Sequence, residues 1–235
     1  MVFSSKQHLN ISLIFIFCIA VVKEVNISIW LSIYLVQLLL VGNMWRWFSS
    51  HPITRKLIST LPTIIMVCIS LVVLDFNRSI DVVFDSYVVG IILVIYLFAV
   101  LRNIKMNLVF LKDPDLIKIL QPHTNRQSAV ASYIYLPLCA ISEELVFRMF
   151  ASFLWPSISE YIFYSTLLFL TSHYVNPWSK QFIDYETLFI RFLLGVVLAV
   201  IFIQFGLGYS IIFHMIFNFT SELYNVRQIF NSKIS

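Results

Sequence analysis

Charge is what this chain has least of. Only 12% of its 235 residues are Asp, Glu, Lys or Arg, against 60% hydrophobic and 16% aromatic, with a mean hydropathy of +0.88. So few charges cannot cover the surface of a water-soluble domain, which leaves an integral membrane protein. Cysteine is also scarce. Cys18, Cys68 and Cys139 are odd in number, lie in apolar segments and show no CxxC spacing, and they read as packing residues. Cys139 stands four residues before Glu143 on roughly the same helical face, so a minor role beside that carboxylate is the alternative. Internal repeats and low-complexity tracts are absent. No Ala-x-Ala-like site follows the first apolar stretch and only Lys6 precedes it, so it reads as a span rather than a cleaved signal peptide.

What is present is a series of apolar runs. A hydrocarbon core about 30 Å thick needs roughly 20 helical residues per crossing. Runs of that order cover Leu9 to Val22, Val25 to Trp45, Leu57 to Phe76, Ser86 to Leu101, Ser128 to Trp155, Ile158 to Val175, Thr187 to Gly206 and Tyr209 to Val226. The first is short, but Leu9 to Trp45 as one helix would extend about 55 Å, too far for one crossing, so a turn is expected at Lys23 to Asn26. The expected fold class is all-α, a polytopic membrane protein of about eight transmembrane helices.

With a cytoplasmic N-terminus, the basic residues fall on the cytoplasmic side of this arrangement, except Lys23, Arg78 and the intramembrane Arg148. The net charge of +4 is then a topology signal and implies no nucleic-acid partner. Both termini are expected in the cytoplasm, in a multi-pass protein of the cell membrane. The longest connection, Arg102 to Gln127, separates a four-span region at 1–127 from another at 128–235. Its centre, NLVFLKDPDLIKIL, mixes apolar and charged residues as a segment lying on the membrane surface would, or as an ordinary ordered loop.

Ionisable residues inside spans cost several kcal/mol unless paired or facing a cavity. Here they are Glu143, Glu144 and Arg148 in the fifth run, His173 ending the sixth, and His214, with Asn218, in the eighth. At about 100° per residue, Glu144 and Arg148 are an i,i+4 pair roughly 40° apart, with the acid on the N-terminal side that favours an ion pair. Glu143 lies about 140° from Arg148 and points elsewhere, free to activate water. His214 and Asn218 are i,i+4 and share a face, where two donors could hold an oxyanion in a water-poor site. His173 could polarise the same water. Pro137, less than two turns before Glu143, would kink the helix and open space. Taken singly, the Glu–Arg pair also reads as a structural ion pair or a transport-path group, each His as a packing residue, and the whole set as a proton-coupled transporter.

Taken together, EELVFR from Glu143 to Arg148 (EExxxR), FLTSH from Phe169 to His173 (FxxxH) and HMIFN from His214 to Asn218 (HxxxN) resemble the motif set of the CPBP family. That family, also called Abi, groups CAAX prenyl proteases with bacteriocin-processing and immunity proteins. The resemblance covers about Ser128 to Val226. It implies an all-helical intramembrane endopeptidase, acting on a membrane-associated or lipidated peptide, in which Glu143 activates water. Glu144 and Arg148 would support Glu143, His173 and His214 would line the site, and Asn218 with His214 would stabilise the oxyanion. No cofactor is expected, because HExxH is absent and Asn is a poor zinc ligand. Zinc held by Glu143, His173 and His214 is the alternative. A non-catalytic scaffold or immunity protein of the same fold is the other reading of the family. Met149 stands where family members often have a small residue.

Overall fold

The structure, a computed structural model, describes residues 34, 64–71, 83–112, 126–155, 157–174 and 185–223. All regular elements among them are helical. They are α1 (Ser86–Lys112), α2 (Arg126–Glu144), a π-helical segment Leu145–Phe150, α3 (Ala151–Leu154), α4 (Ile158–Tyr174), α5 (Tyr185–Phe205) and α6 (Leu207–Ser221). Tyr34 and residues 64–71 are helical as well. The first expected span, most of the second and the flanks of the third lie outside the described residues.

Among the described residues, two helices are long and apolar enough to cross a membrane, over Ser86–Val109 and Glu186–Phe205. The eight expected crossings are therefore shown only in part, since the first three lie largely outside the described residues, and length accounts for two of the others. At 1.5 Å per residue the 17 residues of α4 and 15 of α6 give about 25 and 22 Å, short of a 30 Å core. The expected loop from Arg102 is also corrected, because α1 continues to Lys112. Nothing in IKMNLVFLK breaks a helix, and the first proline after it is Pro114. The remainder of the expected surface segment lies outside the described residues.

The helix starts and joints follow local chemistry. Asp85 Oδ1 accepts the Tyr87 N–H at 2.8 Å, satisfying an otherwise orphaned donor in the first turn of α1. A single residue, Gly206, joins α5 to α6 with φ of 90°, a conformation open to glycine at little steric cost. The two helices fold back on each other there, and Ser210 Oγ donates to Leu198 O at 3.2 Å, linking α6 to α5 well before the joint. A second glycine sets the α4–α5 spacing. A Cβ on Gly195 would come within 2.9 Å of Thr166 Cγ2 and 3.3 Å of Phe169 Cδ1, so the bare backbone is what lets these helices approach.

The core lies where the π-helical segment, α4, α5 and α6 meet, around Phe147, Phe169, Leu194, Leu198 and Ile201. α1 closes one side and holds α6 by its backbone. The Tyr96 hydroxyl donates to Phe213 O at 2.7 Å, and Asn107 Nδ2 reaches Thr220 O at 2.9 Å and Ser221 O at 3.3 Å, two of the terminal carbonyls that a helix cannot satisfy internally. From α2 the Tyr133 hydroxyl donates to Glu222 O at 2.9 Å. An Arg102–Glu186 ion pair at 2.7 Å joins α1 to the start of α5. The helix carrying His214 and Asn218 is thereby fixed along its length and at its end.

Candidate active site

The two glutamates close α2 at the point where the backbone widens into the π-helical segment. Such a segment bonds i to i+5 instead of i+4 and recurs at functional sites. Pro137 sits inside α2, where it removes one backbone donor upstream of the glutamates. Val146, Phe147, Arg148 and Phe150 are all buried, so this helix is packed around most of its circumference and the glutamates project into protein.

Glu144 is fully enclosed. Its Oε1 lies 2.8 Å from His214 Nδ1, and its Oε2 lies 3.3 Å from Arg148 Nε while accepting a hydrogen bond from Ser210 Oγ. The carboxylate can only accept, so Nδ1 carries the proton and the opposite nitrogen, Nε2, is directed away from Glu144. Arg148 is equally buried. Its Nη1 donates to Ser165 O at 3.2 Å, Ser165 Oγ at 3.3 Å and Phe147 O at 3.3 Å, and its Cζ lies 5.1 Å from the centroid of the Phe169 ring. The guanidinium is thus held by a buried ion pair, a serine and a cation–π contact, while its Nη2 has no hydrogen-bond partner among the described residues.

Glu143 differs. Its Oε1 accepts a hydrogen bond from the Cys139 thiol at 2.8 Å. Its Oε2 has no hydrogen-bond partner among the described residues and stands 3.6 Å from His214 Nε2, beyond a direct hydrogen bond. The side chain is 12% exposed, against none for Glu144.

His173 occupies the last turn of α4. Phe169 O, 2.9 Å from its Nδ1, can only accept, so Nδ1 is again the protonated nitrogen and Nε2 is left open. The two histidines meet across one ring: the Phe169 centroid is 4.6 Å from His173 and 5.5 Å from His214. In a span starting at Tyr209 His214 would sit near one end, but α6 begins at Leu207 and ends at Ser221, which puts His214 in its middle. Asn218 follows one turn later, half-buried, and its carboxamide has no hydrogen bond among the described residues. The three residues of the zinc alternative do not form a ligand set: among the described residues no three His, Cys, Asp or Glu side chains converge as metal ligands.

The structure therefore joins Glu143, Glu144, Arg148, His173 and His214 in one cluster, with Asn218 on the His214 helix face. Sequence reasoning missed Ser210, although the signal exists: Ser210, His214 and Asn218 are spaced four and four, one stripe of α6. It also left Phe169 without a role, and this ring touches Arg148 and both histidines.

Residues 125–220 match the family model described as type II CAAX prenyl endopeptidase Rce1-like, within the CPBP/CAAX protease family. The matched segment contains all of the motif residues. No curated protein and no solved structure matches the chain. The match makes this segment similar to CAAX-type proteases, and with the two membrane-length apolar helices it supports a membrane protein.

Proposed function

We propose that this chain is an intramembrane endopeptidase that hydrolyses a peptide bond in a membrane-associated or lipidated peptide, with Glu143 as the base that activates water. The observation that carries the reading is the buried Oε2 of Glu143, which has no hydrogen-bond partner among the described residues and stands 3.6 Å from His214 Nε2. A water bound at that oxygen gives its proton to Glu143 as the water oxygen attacks the substrate carbonyl. The resulting oxyanion takes hydrogen bonds from His214 and Asn218, in surroundings where such bonds count for most. Glu143 then returns the proton to the leaving amine, and His173 polarises the water through Nε2.

With Nδ1 committed to Glu144, it is through Nε2 that His214 would meet the oxyanion, and the bond requires a proton on that nitrogen. The chemistry needs no cofactor. The protein sits as a multi-pass chain in the cell membrane with both termini cytoplasmic, and its setting is peptide processing or self-immunity, as the family's bacteriocin-related members suggest.

The test compares wild type, Glu143→Gln and His214→Ala for cleavage of a lipidated peptide in membranes, with and without a chelator. Each substitution lowers the rate about 10²- to 10⁴-fold, and the chelator leaves it unchanged. Undiminished cleavage by Glu143→Gln would sink the mechanism. A phenotype that survives Glu143→Gln while cleavage is lost would favour a scaffold role.

A further inference from the structure

The segment that matches the protease family starts at residue 125, so α1 lies wholly before it. α1 is apolar enough to cross a membrane, yet it carries Tyr96, Asn103 and Asn107, which helical phase puts within about 40° of one another. All three are buried, while Ile91, Val94, Phe98 and Leu101 on the opposite face are exposed. Polar side chains turned inward from a span are costly unless they bond to another helix. Here two of them bond to the backbone of α6. The Tyr96 hydroxyl donates to Phe213 O at 2.7 Å, and its ring packs on the Phe213 ring with centroids 4.7 Å apart. Asn107 Nδ2 lies 2.8 Å from Asn103 O, 2.9 Å from Thr220 O and 3.3 Å from Ser221 O.

We propose that Tyr96 and Asn107 are positioning residues of the active site, gripping α6 on either side of the turn that carries His214 and Asn218. Together they set where those two side chains stand against the glutamates of α2. The donors and acceptors match at both points. Asn107 has two N–H groups: one goes to Asn103 O in its own helix and fixes the side chain, and the other is shared between Thr220 O and Ser221 O. Those two carbonyls belong to the last turn of α6, where no intrahelical donor reaches them. Phe213 O lies inside α6, and a carbonyl there has a second lone pair for the Tyr96 hydroxyl. The grip matters because His214 stands 2.8 Å from Glu144 and 3.6 Å from Glu143, both on α2. A displacement of α6 by about 1 Å would spoil that alignment. The role in hydrolysis rests on the mechanism proposed above; the placement of His214 does not.

Two measurements on the full chain in membranes separate the two. The first is ¹⁵N NMR of histidine-labelled protein, with His214 assigned by its loss in His214→Gln. Tyr96→Phe, which keeps the ring against Phe213, and Asn107→Leu, which keeps the volume, each shift the His214 nitrogens and leave those of His173, on α4, in place. The second is peptide cleavage: each substitution lowers kcat about three- to tenfold at unchanged KM, the range of one neutral hydrogen bond. The two holding points are about 16 Å apart along α1, so the factors multiply in the double variant. Unchanged His214 resonances in both single variants overturn the proposal whether or not the protein cleaves the peptide. Equal shifts of His173 and His214 mark a general loosening of the fold and overturn it as well. A rise in KM at constant kcat would make these residues substrate contacts instead, and a double variant no slower than the poorer single one would refute the two-point grip.

Discussion

Glu144 has both oxygens engaged, by His214, Arg148 and Ser210, whereas Glu143, one residue earlier, keeps one oxygen bound to a thiol and one without a hydrogen bond. The helix phase separates them: consecutive residues point about 100° apart, so two identical side chains meet different neighbours. A closed set of partners on one side holds the geometry, and an open oxygen on the other is what chemistry needs. The difference teaches that the EExxxR spacing places two identical side chains in unlike surroundings, which under the proposed mechanism divide anchoring from reaction and can be broken one at a time.

The largest separation is expected in stability. Glu144→Gln strips the charge opposite Arg148 and costs about 3–5 kcal/mol of folding stability, because it leaves a buried guanidinium without its counter-ion. Arg148→Met strands Glu144 in the same way with a similar loss. Glu143→Gln stays within about 1 kcal/mol of wild type, or gains stability, since an oxygen that lacks a hydrogen bond is replaced by a neutral amide. Denaturant titration of the purified protein in detergent measures all three. Equal losses for Glu143→Gln and Glu144→Gln would erase the division of labour.

Much of this division can be read in the sequence, and the reasons lie in helix geometry. The i,i+4 spacing of Glu144 and Arg148 predicts the observed ion pair, and the divergent phase of Glu143 predicts its separate environment. Contacts between helices are another matter. That His214 would find Glu144 rather than Glu143 with its Nδ1 depends on how α6 is set against α2, and nothing local encodes that placement. His214 lies in the middle of α6 and not near one end of a span from Tyr209 to Val226, because α6 starts one residue after α5, at Leu207, and ends at Ser221. The loop expected after Leu101 proved helical because α1 extends past the apolar stretch used to bound it, carried on by Ile104, Leu108 and Val109. The π-helical widening after Glu144 leaves no mark in LVFRMF, which an ordinary α-helix would also accept.

A smaller effect tests whether Phe169 is the shared support of both sides. Gly195→Ala would place a methyl group 3.3 Å from Phe169 Cδ1 and 2.9 Å from Thr166 Cγ2, forcing α4 and α5 apart. The stability cost is about 1–3 kcal/mol, the usual range for overpacking. Because Phe169 touches Arg148 on the anchored side and both histidines on the reactive side, cleavage falls as well, at a step set by histidine position. Unfolding curves together with kcat on one preparation give both quantities. A loss of stability with kcat intact would show that the ring only packs.

The smallest effect isolates the reactive side alone. Cys139 donates to Glu143 Oε1, and the packing role read from its apolar surroundings omits that bond. Cys139→Ala removes the donor and little volume, so stability changes by less than about 1 kcal/mol, the scale of one hydrogen bond. Glu143 then loses the contact that turns its other oxygen toward His214 Nε2, and kcat falls about two- to fivefold, a fraction of a hydrogen bond's worth of alignment. Cys139→Ser keeps a donor and recovers most of the rate. Steady-state cleavage by the three proteins decides the point: equal rates for Ala and Ser would return Cys139 to packing. A loss confined to Ala would show that the thiol orients the base, completing on the reactive side a weaker counterpart of the bonds that hold Glu144.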